Sequence, residues 1–186
     1  LNDPTLTPAQ LDAAYSQYGV RHSVDALGRR TESIDAQGNR TWYYYDDEGR
    51  QTFVVKGVRD SGNVQNAQGE VQQTRYDALG NVIDRLAYTG RITIATPGSR
   101  DSVWSLIKTW GTLSALTAND SRVQLAYDRR GLLIERTDAE GYRTSFDYNA
   151  FGETATTRTW VGAALYKKTA YAYDKRGSLL NAIESN

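Results

Sequence analysis

Leu125-Ala-Tyr-Asp-Arg-Arg-Gly-Leu-Leu-Ile-Glu-Arg-Thr-Asp-Ala-Glu-Gly-Tyr-Arg-Thr-Ser-Phe-Asp-Tyr-Asn-Ala-Phe-Gly152 repeats one short pattern three times. An Asp or Asn is followed by two free residues and a Gly: Asp128 to Gly131, Asp138 to Gly141, and Asn149 to Gly152. The glycines stand 10 and then 11 residues apart, and about seven residues of alternating polarity, rich in Tyr, Thr, Phe and Ile, run between them. Asp or Asn at the first position of a type I turn accepts nearby backbone N–H groups. Gly at the fourth tolerates the left-handed conformation through which the chain re-enters a sheet, often with a bulge. A tight turn followed by a strand is a hairpin, and its repetition is a meander.

The beat recurs along the chain. Asp25-Ala-Leu-Gly28, Asp35-Ala-Gln-Gly38 and Asp46-Asp-Glu-Gly49 have the same 10 and 11 spacing. Asn66-Ala-Gln-Gly69, Asp77-Ala-Leu-Gly80 and Asp174-Lys-Arg-Gly177 bring the occurrences to nine. Four residues before the glycine stand Val24, Ile34, Tyr45, Tyr76, Tyr127, Tyr148 and Tyr173. Two residues further back, on the same strand face, stand Tyr43, Thr74, Leu125, Phe146 and Tyr171. This period of two predicts strands with one packed face, in which tyrosine rings pair across strands and their hydroxyls stay in water.

The totals narrow the function classes. In 186 residues, 22 basic side chains balance 22 acidic ones, which argues against nucleic-acid binding and against a basic membrane-binding block. The basic pairs Arg29-Arg30 and Arg129-Arg130 read as solvated turn residues. Without cysteine there are no disulfides or thiolate metal sites, and the single His22 reads as a solvent-facing strand residue rather than a ligand. No apolar run approaches a membrane span, so no membrane insertion is expected of this segment. The carboxylates Asp46 and Asp47 are neighbours, so they point to different sides and do not converge on one bond. The expectation is no catalytic residue, no cofactor and no metal.

Four blocks follow: a helical cover over 1–19, a first repeat block over 20–90, an interruption over 91–121 and a second repeat block over 122–186. In the first, Thr7-Pro8-Ala9-Gln10 offers a capping hydroxyl, a proline at the first helical position and a reciprocal Gln, predicting a helix from Pro8 to Tyr18 stopped by Gly19. Lys56 to Val64 reads as a longer hairpin loop. In the interruption, Val103, Leu106, Ile107 and Trp110 fit a helical stripe, capped by Asp101 or Ser102 and stopped by Gly111. The run Val103-Trp104-Ser105-Leu106-Ile107 fits a strand equally well. The fold class is therefore all-β: an antiparallel meander in a curling or spiralling sheet, with a short N-terminal helix and room for one inserted helix.

Tyr76-Asp-Ala-Leu-Gly80, Tyr127-Asp-Arg-Arg-Gly131 and Tyr173-Asp-Lys-Arg-Gly177 resemble the Tyr-Asp-x-x-Gly core of the RHS or YD-repeat family. Asp35-Ala-Gln-Gly38-Asn-Arg-Thr41 and Asp138-Ala-Glu-Gly141-Tyr-Arg-Thr144 resemble its alternate half-repeat. The resemblance covers most of 20–88 and 123–185. It implies a structural module of a large secreted or cell-surface bacterial protein. The module's strands form a shell or extended scaffold, and its partners are neighbouring repeats and an enclosed toxin domain. The Asp-Pro-x-Gly-Leu-type segment of self-cleaving members is absent, so that activity does not carry over. The alternative is an adhesin or carbohydrate reader that stacks a cell-surface glycan on Trp42, Trp104, Trp110 or Trp160. Packing in a core is the competing role for each of these rings.

Overall fold

The computed structural model describes residues 7–10, 13–14, 19–94, 98–113, 119–161 and 165–185. Eight of the nine Asx-x-x-Gly strings are tight turns whose glycines have φ between 77° and 87°. In each, the glycine N–H donates to the carbonyl of the first residue at 2.9–3.1 Å. The side-chain oxygen of that first residue accepts the N–H of the residue after the glycine at 2.8–3.0 Å. One side chain therefore holds both limbs of the hairpin. Gly131→Val, which forces a β-branched residue to φ 78°, should destabilise by about 1–3 kcal/mol in urea titration. An unchanged midpoint would refute the turn geometry.

The ninth string is not a turn. Gly69 lies inside a strand, where a β-carbon would come 2.7 Å from Val55 Cγ1 and 2.9 Å from Ile92 Cγ1. Here glycine is required by close packing on both sides, not by backbone conformation. The reversal instead uses Asp60-Ser-Gly-Asn63, in which Asn63 takes the left-handed position at φ 63° and Val64 N–H donates to Asp60 Oδ1 at 2.8 Å. The connection spans 59–67 rather than beginning at Lys56, because the preceding strand runs through Val58.

Twelve strands follow in order: β1 (Arg21–Val24), β2 (Arg30–Ile34), β3 (Arg40–Tyr45), β4 (Gln51–Val58), β5 (Gln68–Tyr76), β6 (Val82–Thr93), β7 (Ser121–Tyr127), β8 (Leu133–Thr137), β9 (Arg143–Tyr148), β10 (Thr154–Trp160), β11 (Tyr166–Tyr173) and β12 (Leu179–Ser185). Each is hydrogen-bonded to the next in one sheet ordered β1 through β12, an antiparallel meander. The connections are asymmetric. Every odd strand passes to its even successor through an Asx-x-x-Gly turn. Even strands pass to odd ones through connections of unequal length, including 59–67 and 94–120. His22 sits exposed on β1, as expected.

The contacts divide the chain into two units, 1–73 with 87–119, and 74–86 with 120–186. The first unit holds the apolar core: Trp42, Tyr44, Val55, Val71, Ile92, Ile94, Val103 and Ile107. Its register puts Trp42 opposite Val55 and Val55 opposite Val71. The packed face of β3 therefore carries Trp42 and Tyr44. Tyr43 and Tyr45, expected on the packed face from the repeat, point to the other side. An inserted helix, Arg100–Leu113, covers this core face with the fully buried Val103 and Ile107.

The helix settles the open choice over Val103 to Ile107, and its ends differ from expectation. Ser99 is the cap: Ser102 N–H donates to Ser99 Oγ at 3.2 Å while Ser99 N–H donates to Ser102 Oγ at 3.0 Å. Gly111 does not stop the helix, which continues to Leu113; a glycine inside a helix costs only about 1 kcal/mol. At the chain's start, residues 8–10 and 13–14 are helical. Thr7 and Gln10 make the reciprocal capping bonds at 2.9 and 3.3 Å. The rest of the expected stripe, Leu11, Tyr15 and Tyr18, lies outside the described residues.

The second unit is built differently. Among the described apolar side chains that are buried, Leu86 alone belongs to it. Its strands are held by hairpin turns, threonine-rich cross-strand pairs such as Thr157 opposite Thr169, and the ion pairs Glu135–Arg143 and Asp147–Arg158. Both sheet faces are largely half-exposed.

Candidate functional site

The repeated constellation is the structure's dominant arrangement of polar side chains. Four of the odd-to-even turns, those ending in Gly49, Gly131, Gly152 and Gly177, lie against the turn before them. In the first unit a β-carbon on Gly49 would come 3.5 Å from Arg29 Nη1. In the second, one on Gly131 would lie 3.9 Å from Asn81, one on Gly152 3.8 Å from Leu132, and one on Gly177 2.9 Å from Glu153. Arg29, Asn81, Leu132 and Glu153 all directly follow a turn glycine. At Gly177 the glycine serves twice: its φ closes its own turn, and its missing side chain leaves room for Glu153; at the other three the approach is ordinary van der Waals contact.

The tyrosine before the turn adds a latch. Tyr45 Oη donates to the Arg30 carbonyl at 2.8 Å, Tyr148 to that of Leu133 at 2.7 Å, and Tyr173 to that of Thr154 at 3.0 Å. Arg30, Leu133 and Thr154 share one position: each is the first residue of a strand whose register shifts beside it, where the bulge interrupts the ladder. The hydroxyls are therefore not left to water. They reach carbonyls at the irregular points of the sheet, which is the physical reason for Tyr rather than Phe there. Burial raises the phenol pKa of Tyr148, with the Asp128 charge adding to it. Tyr148→Phe should cost about 0.5–1.5 kcal/mol in thermal or urea unfolding without altering the strand content; a neutral substitution would remove the latch from the account.

In five of the turns the first residue is matched to the side chain of the residue after the glycine. Asp25 pairs with Arg29, Asp35 with Asn39, Asp46 with Arg50 and Asp77 with Asn81, each a donor. Where the first residue is Asn149, the partner is an acceptor, Glu153, at 2.6 Å. Arg29 is thus no merely solvated residue, since it also lies 4.7 Å from the Tyr45 ring centre. Asp35 and Asp77 are held below the ordinary carboxylate pKa by the amides of Asn39 and Asn81, and Asp128 by the Leu132 N–H. For Asp25 and Asp46 desolvation pushes upward, but the hydrogen bonds from Arg29 and Arg50 outweigh it.

These depressed values set the sign of the acid response. Their stabilisation is complete above the unfolded carboxylate pKa and is lost as pH falls through the folded values, so unfolding free energy should decline below about pH 4. Asn149→Asp should act in the opposite sense. It places two carboxylates together, lowering stability at pH 7 by about 0.3–1 kcal/mol, and the deficit should shrink in acid as one takes a proton. Urea titrations across pH check both; a deficit that widens in acid would refute the matching.

Asp84 is the one charged side chain buried among those described, at 7% exposure. Arg122 clasps it through two bonds, Nε to Oδ1 at 2.7 Å and Nη2 to Oδ2 at 2.9 Å, and Arg75 lies 3.9 Å from Oδ2. The pair joins β6 to β7 within the second unit. Its signal was readable in Val82-Ile83-Asp84-Arg85-Leu86, where Asp84 falls in step with the inward Leu86. Among the described residues no group of three His, Cys, Asp or Glu side chains converges on a metal-sized space.

The four tryptophans do not form one platform. Trp42 is fully buried. Trp104 stacks on Tyr44 with ring centres 4.9 Å apart, meets Phe53 edge-on at 6.0 Å and lies under Lys108 Nζ at 5.4 Å. Trp160 leans on Tyr166 at 5.5 Å with the Arg143 guanidinium 4.5 Å above it. The Trp110 side chain lies outside the described residues. Trp42 and Trp104 are thus core pieces of the first unit, and Trp160 belongs to the second.

The family model described as RHS Repeat matches residues 127–164. No curated protein matches. Among solved structures, the chain is similar to TcdB2-TccC3 without its hypervariable C-terminal region, at 15% identity and a TM-score of 0.48, over 90% of this chain and 9% of that one. It is also similar to TcdB2-TccC3-TEV, at 13% identity and 0.43, over 92% and 10%. A third is the Photorhabdus luminescens Tc holotoxin pore, at 14% and 0.42, over 91% and 10%. The chain spans about a tenth of the length of these structures. The matched residues 127–164 begin at the Tyr-Asp-x-x-Gly turn, include the next two turns, and are similar to an RHS Repeat.

Proposed function

We propose that the chain is a wall segment: a run of repeats that extends a β-shell or scaffold of a large secreted or surface bacterial protein associated with a toxin, with no chemistry of its own. The observation that supports this most is the use to which the polar residues are put. The carboxylates hold turns, the hydroxyls latch bulged strands, and successive turns such as those of Gly131, Gly152 and Gly177 lie against one another. In this reading the blocks 20–90 and 122–186 are two runs of the same module, 91–121 supplies a helical cover for the first, and 1–19 protects an edge. The thin second unit, with little buried apolar surface, suits a segment completed by neighbouring repeats and by whatever the parent encloses.

A repeat wall tolerates loss of a whole period. Deleting 132–152, which removes one 21-residue period and joins Gly131 to Glu153, should leave a cooperatively folded chain with a reduced denaturant slope. Collapse to an unfolded chain would count against modularity. The second reading, a glycan binder, draws on the Trp160–Tyr166 pair, where Tyr166 is 37% exposed. Specific glycan binding by the whole chain that vanishes in Trp160→Ala, with circular dichroism unchanged, would replace the wall by an adhesin.

A further inference from the structure

The odd-to-even turns of the second unit stand side by side at one end of its strands, since Gly131, Gly152 and Gly177 each meet the turn before. Turns two strands apart are about 10 Å apart. Their two free positions alternate in character: Ala78-Leu79, Arg129-Arg130, Ala150-Phe151, Lys175-Arg176. Leu79 is 74% exposed and Phe151 90%, far beyond anything the turn requires. The four basic side chains are exposed as well. The neutral totals of the chain hide this local separation.

The acids at this end are already engaged. Asp77 bonds Asn81, and Asp128 accepts the amides of Arg130 and Leu132 and the Arg130 guanidinium. Asp174 accepts the amides of Arg176 and Ser178, and Glu153 accepts the Asn149 amide. Arg129, Lys175 and Arg176 have no ion pair among the described residues. Between Phe151 and Lys175-Arg176 lies a cup of about 570 Å³ with Tyr171 and Tyr173 in its lining.

We propose that this rim is a docking surface for an anionic lipid bilayer. A protruding aromatic side chain flanked on both sides by basic tips has the chemistry of a loop that enters the interface. Phe151 and Leu79 bury apolar surface among the acyl chains, while Arg129, Arg130, Lys175 and Arg176 meet lipid phosphates and carboxylates. Charge complementarity carries the choice of partner, because no exposed acid interrupts the tips. The contact is peripheral, and it leaves every hydrogen bond of the turns in place.

The test is vesicle co-sedimentation of the whole chain with phosphatidylcholine, alone and mixed with phosphatidylserine. Binding is expected only to the mixed vesicles and should fall with salt. Phe151→Gln should weaken it by about tenfold or more, and Lys175→Asp with Arg176→Glu should abolish it. Both variants keep foldable tips, since Asp35-Ala-Gln-Gly38 and Asp46-Asp-Glu-Gly49 carry those residues in the same turn. Lys56→Glu with Arg85→Glu, an equal change of net charge at exposed strand positions, should leave binding intact. The proposal is overturned by no binding to mixed vesicles, by equal loss in that control pair, or by binding that Phe151→Gln leaves unchanged. Equal affinity for polyglutamate or single-stranded DNA also overturns it, by showing a general polyanion site.

Discussion

Trp42→Ala should lower the unfolding free energy by about 3–5 kcal/mol, the largest single loss expected in the chain. The indole has 0% exposure and belongs to the core cluster that Val103 and Ile107 of the inserted helix close. Truncation removes its transfer energy and leaves a cavity that paired strands are too stiff to fill. A further detail sharpens the expectation. Trp42 Nε1 is buried without a hydrogen-bond partner, so the native state already carries a desolvation cost. Trp42→Phe removes that cost together with some volume, and should lose markedly less than Trp42→Ala. Urea titration followed by near-ultraviolet circular dichroism measures both. A loss below about 1 kcal/mol for Trp42→Ala would mean that the helix does not seal this face.

The second large effect belongs to the other unit. Asp84→Ala should cost about 2–4 kcal/mol, because it removes the buried carboxylate that neutralises the Arg122 guanidinium through two bonds. The Arg122 side chain is 35% exposed, so it regains some water, which places the cost at the lower part of the range for a broken buried pair. Removing both charges should be milder: Asp84→Leu with Arg122→Leu takes away the carboxylate together with its closest partner and leaves only the more exposed Arg75 to water, so its stability should exceed that of Asp84→Ala alone. If the double variant is worse than the single, the pair contributes net attraction beyond its desolvation cost. The link between β6 and β7 would then be electrostatic at heart.

The turns were the most legible part of the sequence, because their chemistry is local. An acceptor, two free residues and a glycine contain the whole hydrogen-bond pattern, and eight such strings fold as read. The exceptions have physical reasons. Asn66-Ala-Gln-Gly69 has the right letters, but Gly69 answers to Val55 and Ile92, residues remote in sequence. In Asp60 to Asn63 the left-handed position is filled by Asn63 rather than by glycine, since Asn also tolerates that region. The packed face of the first unit was hidden because Trp42-Tyr43-Tyr44-Tyr45 is aromatic throughout and period two carries no information there. Only the pairing with Val55, and the arrival of a helix from 60 residues downstream in sequence, decides that Trp42 and Tyr44 face inward. For the same reason the tyrosine latches were out of reach of pattern reading. Their acceptors are bulge carbonyls 15 to 19 residues away, and a bulge is a property of two strands together.

The unequal ends of the strands carry a consequence for how such a chain can be enlarged. At the odd-to-even end the turns ending in Gly49, Gly131, Gly152 and Gly177 touch the turn before, so a single extra residue there would disturb a neighbour as well as its own hairpin. At the other end, connections already range from a four-residue turn to the 27 residues of 94–120, which carry a helix of their own. A foreign domain spliced into 59–67 or 161–165 therefore has a precedent within the chain, whereas one spliced between Asp128 and Gly131 has none. Growth of such a chain is therefore expected at its even-to-odd connections and not within its odd-to-even turns.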